Sequence, residues 1–364
     1  MELPANPYCR GHSRFRHDVP LEGRLLNSPR TIALLGGPST GKSTFLGALV
    51  DALQTHRLKY LRLERLDDDA RGLQRLADPL LEGHYPQRTT AGPHLELVAS
   101  LRTAGDFFEP CSFALRAGDY DGEEVDRLFR DRIHGWSEEW RNRAHADALI
   151  LLLRADALTR LPQIAPPAEI EEATRWRLLR GEPIPIKGEL GLERAPTAPL
   201  HPEHVFGAMS LDEVPPPTRA MPTDPVRVPT AISIIELLQF IRHVRQLAPG
   251  ERPQGDRQLR IALLVSAWDS VAPEWRQAGP AAYLAHHLPL LEDFLWSNFL
   301  PEDVFRFGLS STGGDLRNPD YSEKYLDNPC GFVEWVDMRG RQQRSDIGLP
   351  LYWLLFGEHA LSAP

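Results

Sequence analysis

Apolar residues gather in short continuous runs that alternate with stretches of helical periodicity. PRTIALL (29–35) is an aliphatic, β-branched run that stops at Gly-Gly-Pro, the pattern of a buried strand entering a tight loop. KSTFLGALVDALQ (42–54) then places Phe45, Leu46, Leu49 and Leu53 at helical spacing with no internal proline. HLELVASLR (94–102) and CSFALRAGD (111–119) predict two further strands, and their connection, with Gly105 and Pro110, is short enough for an antiparallel pair. A polar helical stretch over 123–143 leads into the apolar strand ALILLLR (148–154).

The rhythm breaks between 159 and 230, where proline recurs and includes the run Pro215-Pro216-Pro217; only 169–181 reads as helical. Regular structure resumes with a helix over 232–248, a strand RIALLVSAW (260–268), one long helix near 280–299, a strand VFRFGLS (304–310) and the apolar segment LPLYWLLF (349–356). The pattern predicts an α/β fold with a mostly parallel sheet, one antiparallel strand, and helices on both faces, with ligands bound beyond the carboxyl ends of the strands. The expected divisions are an N-terminal extension (1–29), a first half (30–158), a Pro-rich insertion (159–230), a second half (231–320) and a C-terminal extension (321–364) packing on the rest.

Composition narrows the class. With 364 residues, 42% hydrophobic and 25% charged, the chain can bury a full core. A formal net charge of -9 argues against nucleic acid as the default partner. Cys9, Cys111 and Cys330 lie far apart without CxxC spacing, which fits a reducing compartment, and the chain reads as cytoplasmic. The N-terminus has no apolar run behind its charges and no run is long enough to span a bilayer, so no membrane is expected.

Lysine occurs at positions 42, 59, 187 and 324 only, which sharpens any motif that demands it. Gly36-Gly37-Pro38-Ser39-Thr40-Gly41-Lys42-Ser43, with Thr44 next, matches GxxxxGK[ST] directly after a predicted strand and at the start of a predicted helix. Glycines let backbone N–H groups turn inward around phosphates, the helix adds its positive end, and the Lys42 ammonium reaches the β and γ phosphates. The Ser43 hydroxyl is the expected Mg²⁺ ligand.

A phosphate loop needs a carboxylate near a neighbouring strand end to hold the metal. Asp119, ending CSFALRAGD, is the best candidate, with Asp121 a rival; it opens Asp119-Tyr120-Asp121-Gly122-Glu123. In such a DxxG turn the Gly122 N–H can meet the γ-phosphate and Glu123 can sit near the attacking water. PQRTTAGP (86–93) supplies Thr89 and Thr90, either of which can complete the metal shell in the triphosphate state.

The strand RIALLV runs into Ser266-Ala267-Trp268-Asp269, where a carboxylate can accept two hydrogen bonds from guanine, unless Asp269 merely caps the next helix. VFRFGL ends in Ser310-Ser311-Thr312-Gly313-Gly314, whose backbone N–H groups can reach the guanine carbonyl. In this order the motifs resemble the translation-factor-related class of P-loop GTPases, to which small GTPases belong, over roughly residues 30–315. SAWD with LPLLEDFLWSNF, FGLSSTGGDL and DIGLPLYWLLF is similar to the bacterial double-GTPase families of conflict and defence gene neighbourhoods.

The resemblance implies a P-loop NTPase three-layer sandwich and a G domain that binds GTP/GDP with Mg²⁺. It assigns Lys42 to the phosphates, Ser43 and Asp119 to the metal, Gly122 to the γ-phosphate, Asp269 to guanine and Ser311 to the base loop. It also implies a molecular switch with an activating or effector protein partner. Two departures stand out: Ala267 replaces a lysine whose stem covers the base, and Glu123 replaces the usual glutamine, so hydrolysis is expected to be slow without a partner. A P-loop kinase of a small molecule and a non-hydrolysing binding module are the alternatives. Trp136 and Trp140 read as a packing stripe or a partner surface, and MRGRQQR (338–344) as a solvated loop or a cationic finger for a neighbouring subunit.

Overall fold

The computed structural model describes residues 31–37, 39–66, 70–87, 96–103, 107–118, 136, 138–159, 228–253 and 258–363. The expectations for the N-terminal extension, for most of the insertion and for 123–135 fall outside the described residues.

The strands are β1 (Thr31–Gly36), β2 (Leu61–Leu66), β3 (Glu96–Thr103), β4 (Ser112–Gly118), β5 (Ala148–Arg154), β6 (Arg260–Ser266), β7 (Val304–Ser310), β8 (Phe332–Asp337) and β9 (Gly340–Arg344). The helices are α1 (Lys42–Gln54), α2 (Ala70–Leu81), α3 (Glu138–Ala144), α4 (Thr230–Val244), α5 (Pro273–Ala278), α6 (Pro280–His287), α7 (Pro289–Asn298), α8 (Pro319–Asp327) and α9 (Leu349–Phe356).

Among the described residues these strands form one sheet in the order β2-β3-β4-β1-β5-β6-β7-β8-β9. β4, β1, β5, β6 and β7 are mutually parallel. The expected antiparallel strand is β3, paired with β4, and β2 closes that edge. A second antiparallel strand, β8, joins β7 on the other side and is followed by β9. It comes from the C-terminal segment, where sequence patterning gave no strand.

The parallel strands are apolar on both faces because both faces are covered. Along β1, Ile32 and Leu34 enter one core with Phe45 and Leu49 of α1 and Trp353 of α9. Ala33 and Leu35 enter the other, with Ile234 and Leu238 of α4, Leu284 of α6 and Leu291 of α7. The period of two in β1 thus divides one strand between two cores, giving the α/β three-layer sandwich of a P-loop NTPase.

Three sequence expectations need correction. The helix expected over 280–299 is two helices, because Pro289 opens α7 and the residue before it, Leu288, is driven out of helical geometry (φ -134°, ψ 55°). The stretch between α1 and the Thr89/Thr90 segment, where the sequence predicts no element, holds β2 and α2; Pro79 lies inside α2 and masks its helical pattern. MRGRQQR is not simply a solvated loop, since Gly340–Arg344 is strand β9. Trp136 and Trp140 are buried, meeting edge to face at 5.7 Å, and Trp136 stacks on Phe240 of α4, which is packing.

Candidate functional site: a phosphate loop joined to the turn after β6

β1 delivers the chain to the phosphate loop beside β5, with Gly36 in register with Leu152. A side chain at Gly36 would lie 2.7 Å from Thr40 Oγ1 and 2.9 Å from the Leu152 carbonyl, so only glycine allows this tight start. Ser39 adopts φ 56° although it is not glycine, the kind of backbone strain that clusters at ligand sites. Thr40 Oγ1 donates to the Gly37 carbonyl at 3.0 Å, and Lys42 Nζ donates to the carbonyls of Gly36 and Gly37, both at 2.7 Å. The loop therefore holds an ammonium across its mouth.

Ser43 and Thr44 follow in the first turn of α1, which carries no acidic residue and no side-chain cap. No carboxylate of its own cancels the positive helix end. The Ser43 hydroxyl is a hard oxygen donor beside Lys42, of the chemistry Mg²⁺ takes. β4, the strand that leads toward Asp119, runs parallel to β1 and ends beside it, with Leu34 opposite Ala117. Pro38, Thr89, Thr90, Asp119, Gly122 and Glu123 themselves lie outside the described residues.

The end of β6 meets this loop directly. The buried Ser266 Oγ donates to the Thr40 carbonyl at 2.6 Å. Ala267 then enters the left-handed region (φ 53°) and starts a tight 3₁₀ turn, Trp268–Ser270. Trp268 is fully buried, against Tyr283 and over Gly308, where a side chain would sit 2.4 Å from the indole. The Trp268 side chain, at a position the sequence reading placed among the nucleotide-binding residues, lies buried and supports the turn. Its Nε1 donates at 2.7 Å to Glu334 of β8.

Asp269 Oδ1 accepts a 2.6 Å hydrogen bond from Ser310 Oγ, which in turn accepts from the Gly313 N–H at 2.9 Å. Asp269 does not cap the following helix, since α5 is preceded by Ala272 and has no side-chain cap. Thr312 Oγ1 donates to the Gly314 carbonyl at 2.8 Å, and Tyr321 donates to the Thr312 carbonyl at 2.8 Å. Ser310 and Thr312 thus commit their hydroxyls inside the structure, while Ser311 stays half-buried.

Several groups around this mouth were not picked out from the sequence. Tyr85, just ahead of the Thr89/Thr90 segment, accepts from the Leu316 N–H at 3.1 Å and donates toward the Gly314 carbonyl at 3.3 Å; burial pushes its phenol up. Arg154, the last residue of β5, donates Nε and Nη2 to the two oxygens of Asp156 at 2.5 and 3.1 Å, and Nη1 to the Ser39 carbonyl at 3.4 Å. Their mutual hydrogen bonds raise the Arg154 pKa and lower that of Asp156.

Glu334, buried under the base-reading turn, also takes hydrogen bonds from Arg276 and from Arg341 (2.6 Å). Burial raises its pKa, but donation by Arg341, Arg276 and Trp268 outweighs this and leaves the carboxyl below the ordinary Glu value.

A family model, Double-GTPase 1, matches residues 33–354, which takes in both the phosphate loop and the base-reading turn. The chain belongs to the double-GTPase 1 family. As a member of this family it is a GTP-binding protein. No curated protein matches it significantly.

Among solved structures, the chain is similar to a signal recognition particle receptor SRb-GTP/SRX complex from Chaetomium thermophilum, at 12% identity and TM-score 0.32, covering 83% of this chain and 99% of that one. It is also similar to a bacterial selenocysteine-specific elongation factor EF-Sec (12%, TM-score 0.29; 85% of this chain, 34% of that chain). A third is sup35 complexed with GDP (11%, TM-score 0.27; 88% of this chain, 54% of that chain). The double-GTPase chain thus spans about a third of the EF-Sec chain and about half of the Sup35 chain. At these scores the likeness adds nothing to strand order and loop geometry. No helix among the described residues is long and apolar enough to cross a membrane.

Proposed function

We propose that this double-GTPase chain binds GTP with Mg²⁺, hydrolyses it to GDP and phosphate, and acts as a nucleotide-dependent switch. The supporting observation is that one strand end serves both halves of a nucleotide: Ser266 of β6 fixes the phosphate loop, and Asp269, three residues on, is oriented by Ser310 of the next strand.

Lys42 exchanges the Gly36 and Gly37 carbonyls for the β- and γ-phosphate oxygens, and the N–H groups opening α1 receive the remaining charge. Asp269 accepts from the N1–H and N2–H of guanine. Ser310 donates to one carboxylate oxygen and fixes the plane in which the remaining lone pairs point. Adenine, which offers no such pair of donors on that edge, leaves the carboxylate unsatisfied, and that selects guanine over the ATP expected of a small-molecule kinase.

Ser43 and Asp119 are the residues that would hold Mg²⁺, which supplies charge neutralisation between the β- and γ-phosphates. Thr89 or Thr90 and Gly122 close on the triphosphate, and Glu123 accepts from the attacking water. The acidic Glu123 adds charge where it is least welcome, so turnover is slow until a protein partner contributes a positive group. A cytoplasmic bacterial conflict or defence system is the setting the sequence resemblance offers.

Titration of nucleotides into the purified chain tests this. GTP and GDP bind with Mg²⁺, GDP and phosphate accumulate, and Lys42→Ala lowers triphosphate affinity by at least about 100-fold. Undiminished GTP binding by that variant, or a preference for ATP, overturns the reading.

A further inference from the structure

Asp269 can read one edge of a base, but a base also has two flat faces, and the turn that carries Asp269 offers little to cover them. Ala267 has only a methyl group, and Trp268 is buried beneath the turn with its N–H committed to Glu334. A planar cation is supplied by a different strand. Arg154 ends β5 in register with Ser266, so it leaves the sheet beside the residue that ties β6 to the phosphate loop. The short turn after it, Ala155–Ala157, packs against Trp268–Ser270, and the Ala155 carbonyl accepts from Tyr283, which also touches Trp268.

The way Arg154 is held matters more than its position alone. Its guanidinium uses its edge for three hydrogen bonds to two partners: Nε and Nη2 on Asp156, and Nη1 on the Ser39 carbonyl of the phosphate loop. Edge bonding locks the plane, yet the side chain keeps 32% of its surface exposed. It feels the charge of Arg317 and the Tyr85 phenol, and Tyr85 feels Asp269, so Arg154 belongs to the same mouth as the base reader. A guanidinium held by its edge and still partly exposed is suited to stack on a purine ring.

We propose that Arg154, clamped by Asp156 and anchored to Ser39, is the wall against which the base of the bound nucleotide stacks, in place of the side chain that Ala267 lacks. This rests on the guanine-nucleotide reading above. Stacking on a ring face does not read its substituents, so Arg154 sets how tightly a purine is held and Asp269 sets which purine.

The test measures affinity for fluorescent GDP and GTP, and steady-state hydrolysis, for wild type, Arg154→Ala, Arg154→Lys and Asp156→Asn. Arg154→Ala weakens GDP and GTP equally, by about 5- to 30-fold. The loss appears in the dissociation constants and KM rather than in kcat, and the GTP-to-ATP preference keeps its wild-type value. Arg154→Lys recovers only part, having no planar face, and Asp156→Asn gives a smaller loss of the same kind. Thermal midpoints without nucleotide stay at the wild-type value.

A fall in kcat with GDP affinity retained assigns Arg154 to the γ-phosphate and overturns the proposal. Unchanged affinities in both Arg154 variants overturn it as well, as does a nucleotide-free midpoint that falls in step with affinity. If wild type binds ATP through Lys42 and no guanine nucleotide, the function reading fails; if wild type binds GTP and only the Arg154 variants behave wrongly, the stacking wall alone fails.

Discussion

Asp269, the proposed base reader, is oriented by a hydroxyl from the next strand. Ser310→Ala removes the bond that orients Asp269 and frees the Gly313 N–H as well. A hydrogen bond to a charged group contributes about 1.5–3 kcal/mol, so guanine affinity falls roughly 10- to 100-fold, read by titration with GDP. Asp269→Asn turns one acceptor into a donor and moves preference toward xanthosine nucleotides, whose C2 carbonyl accepts; competition between GTP and XTP reads this out. Gly308 carries a different burden. An added methyl group would meet the Trp268 indole at 2.4 Å, so Gly308→Ala costs about 1–3 kcal/mol of stability by overpacking, measured by urea unfolding.

Between elements, the decisive contact is β8 with the turn after β6. Glu334 holds Trp268, Arg276 and Arg341 at once. Its folded-state pKa lies below the ordinary value of 4.5, so its stabilisation is complete above that pH and is lost as pH falls through the lowered value. Wild type therefore loses more stability than Glu334→Gln on acidification from about pH 5 to pH 3, and parallel unfolding curves would remove Glu334 from this role.

The same contact shows what patterning along a chain leaves hidden. α1, β5 and β7 were legible to the residue, because continuous apolar runs and a 3.6 period survive without context. The GxxxxGK[ST] loop between β1 and α1 was legible too, since its pattern is local, whereas the bond from Ser310 to Asp269 was not. Glu334, Arg154 and Tyr85 were not: each looks like an ordinary polar residue until the sheet order brings it to its partner. β9 is polar along its length at a sheet edge, and α2 contains Pro79, so neither has the signature of its element.

For the molecule as a whole, the C-terminal segment is part of the core. Leu351, Tyr352, Trp353 and Leu354 of α9 are buried in the same cluster as Ile32 and Phe45, and Val333 and Trp335 of β8 join them. Truncation after Asn328 strips this cover and bares the edge of β7. The shortened chain is expected to aggregate rather than yield a free nucleotide-binding domain, and a soluble, GDP-binding fragment in size-exclusion chromatography would contradict that.

Glu334 also sets an order of events during synthesis. The phosphate loop and α1 leave the ribosome early, and the turn that bears Asp269 follows, but the carboxylate beneath that turn emerges about 65 residues later, several seconds at ordinary elongation rates. A nascent chain halted after β7 has its anion cradle and lacks the brace under its specificity element. On the proposed role of Asp269, tight guanine capture is among the last properties this polypeptide acquires as it is made.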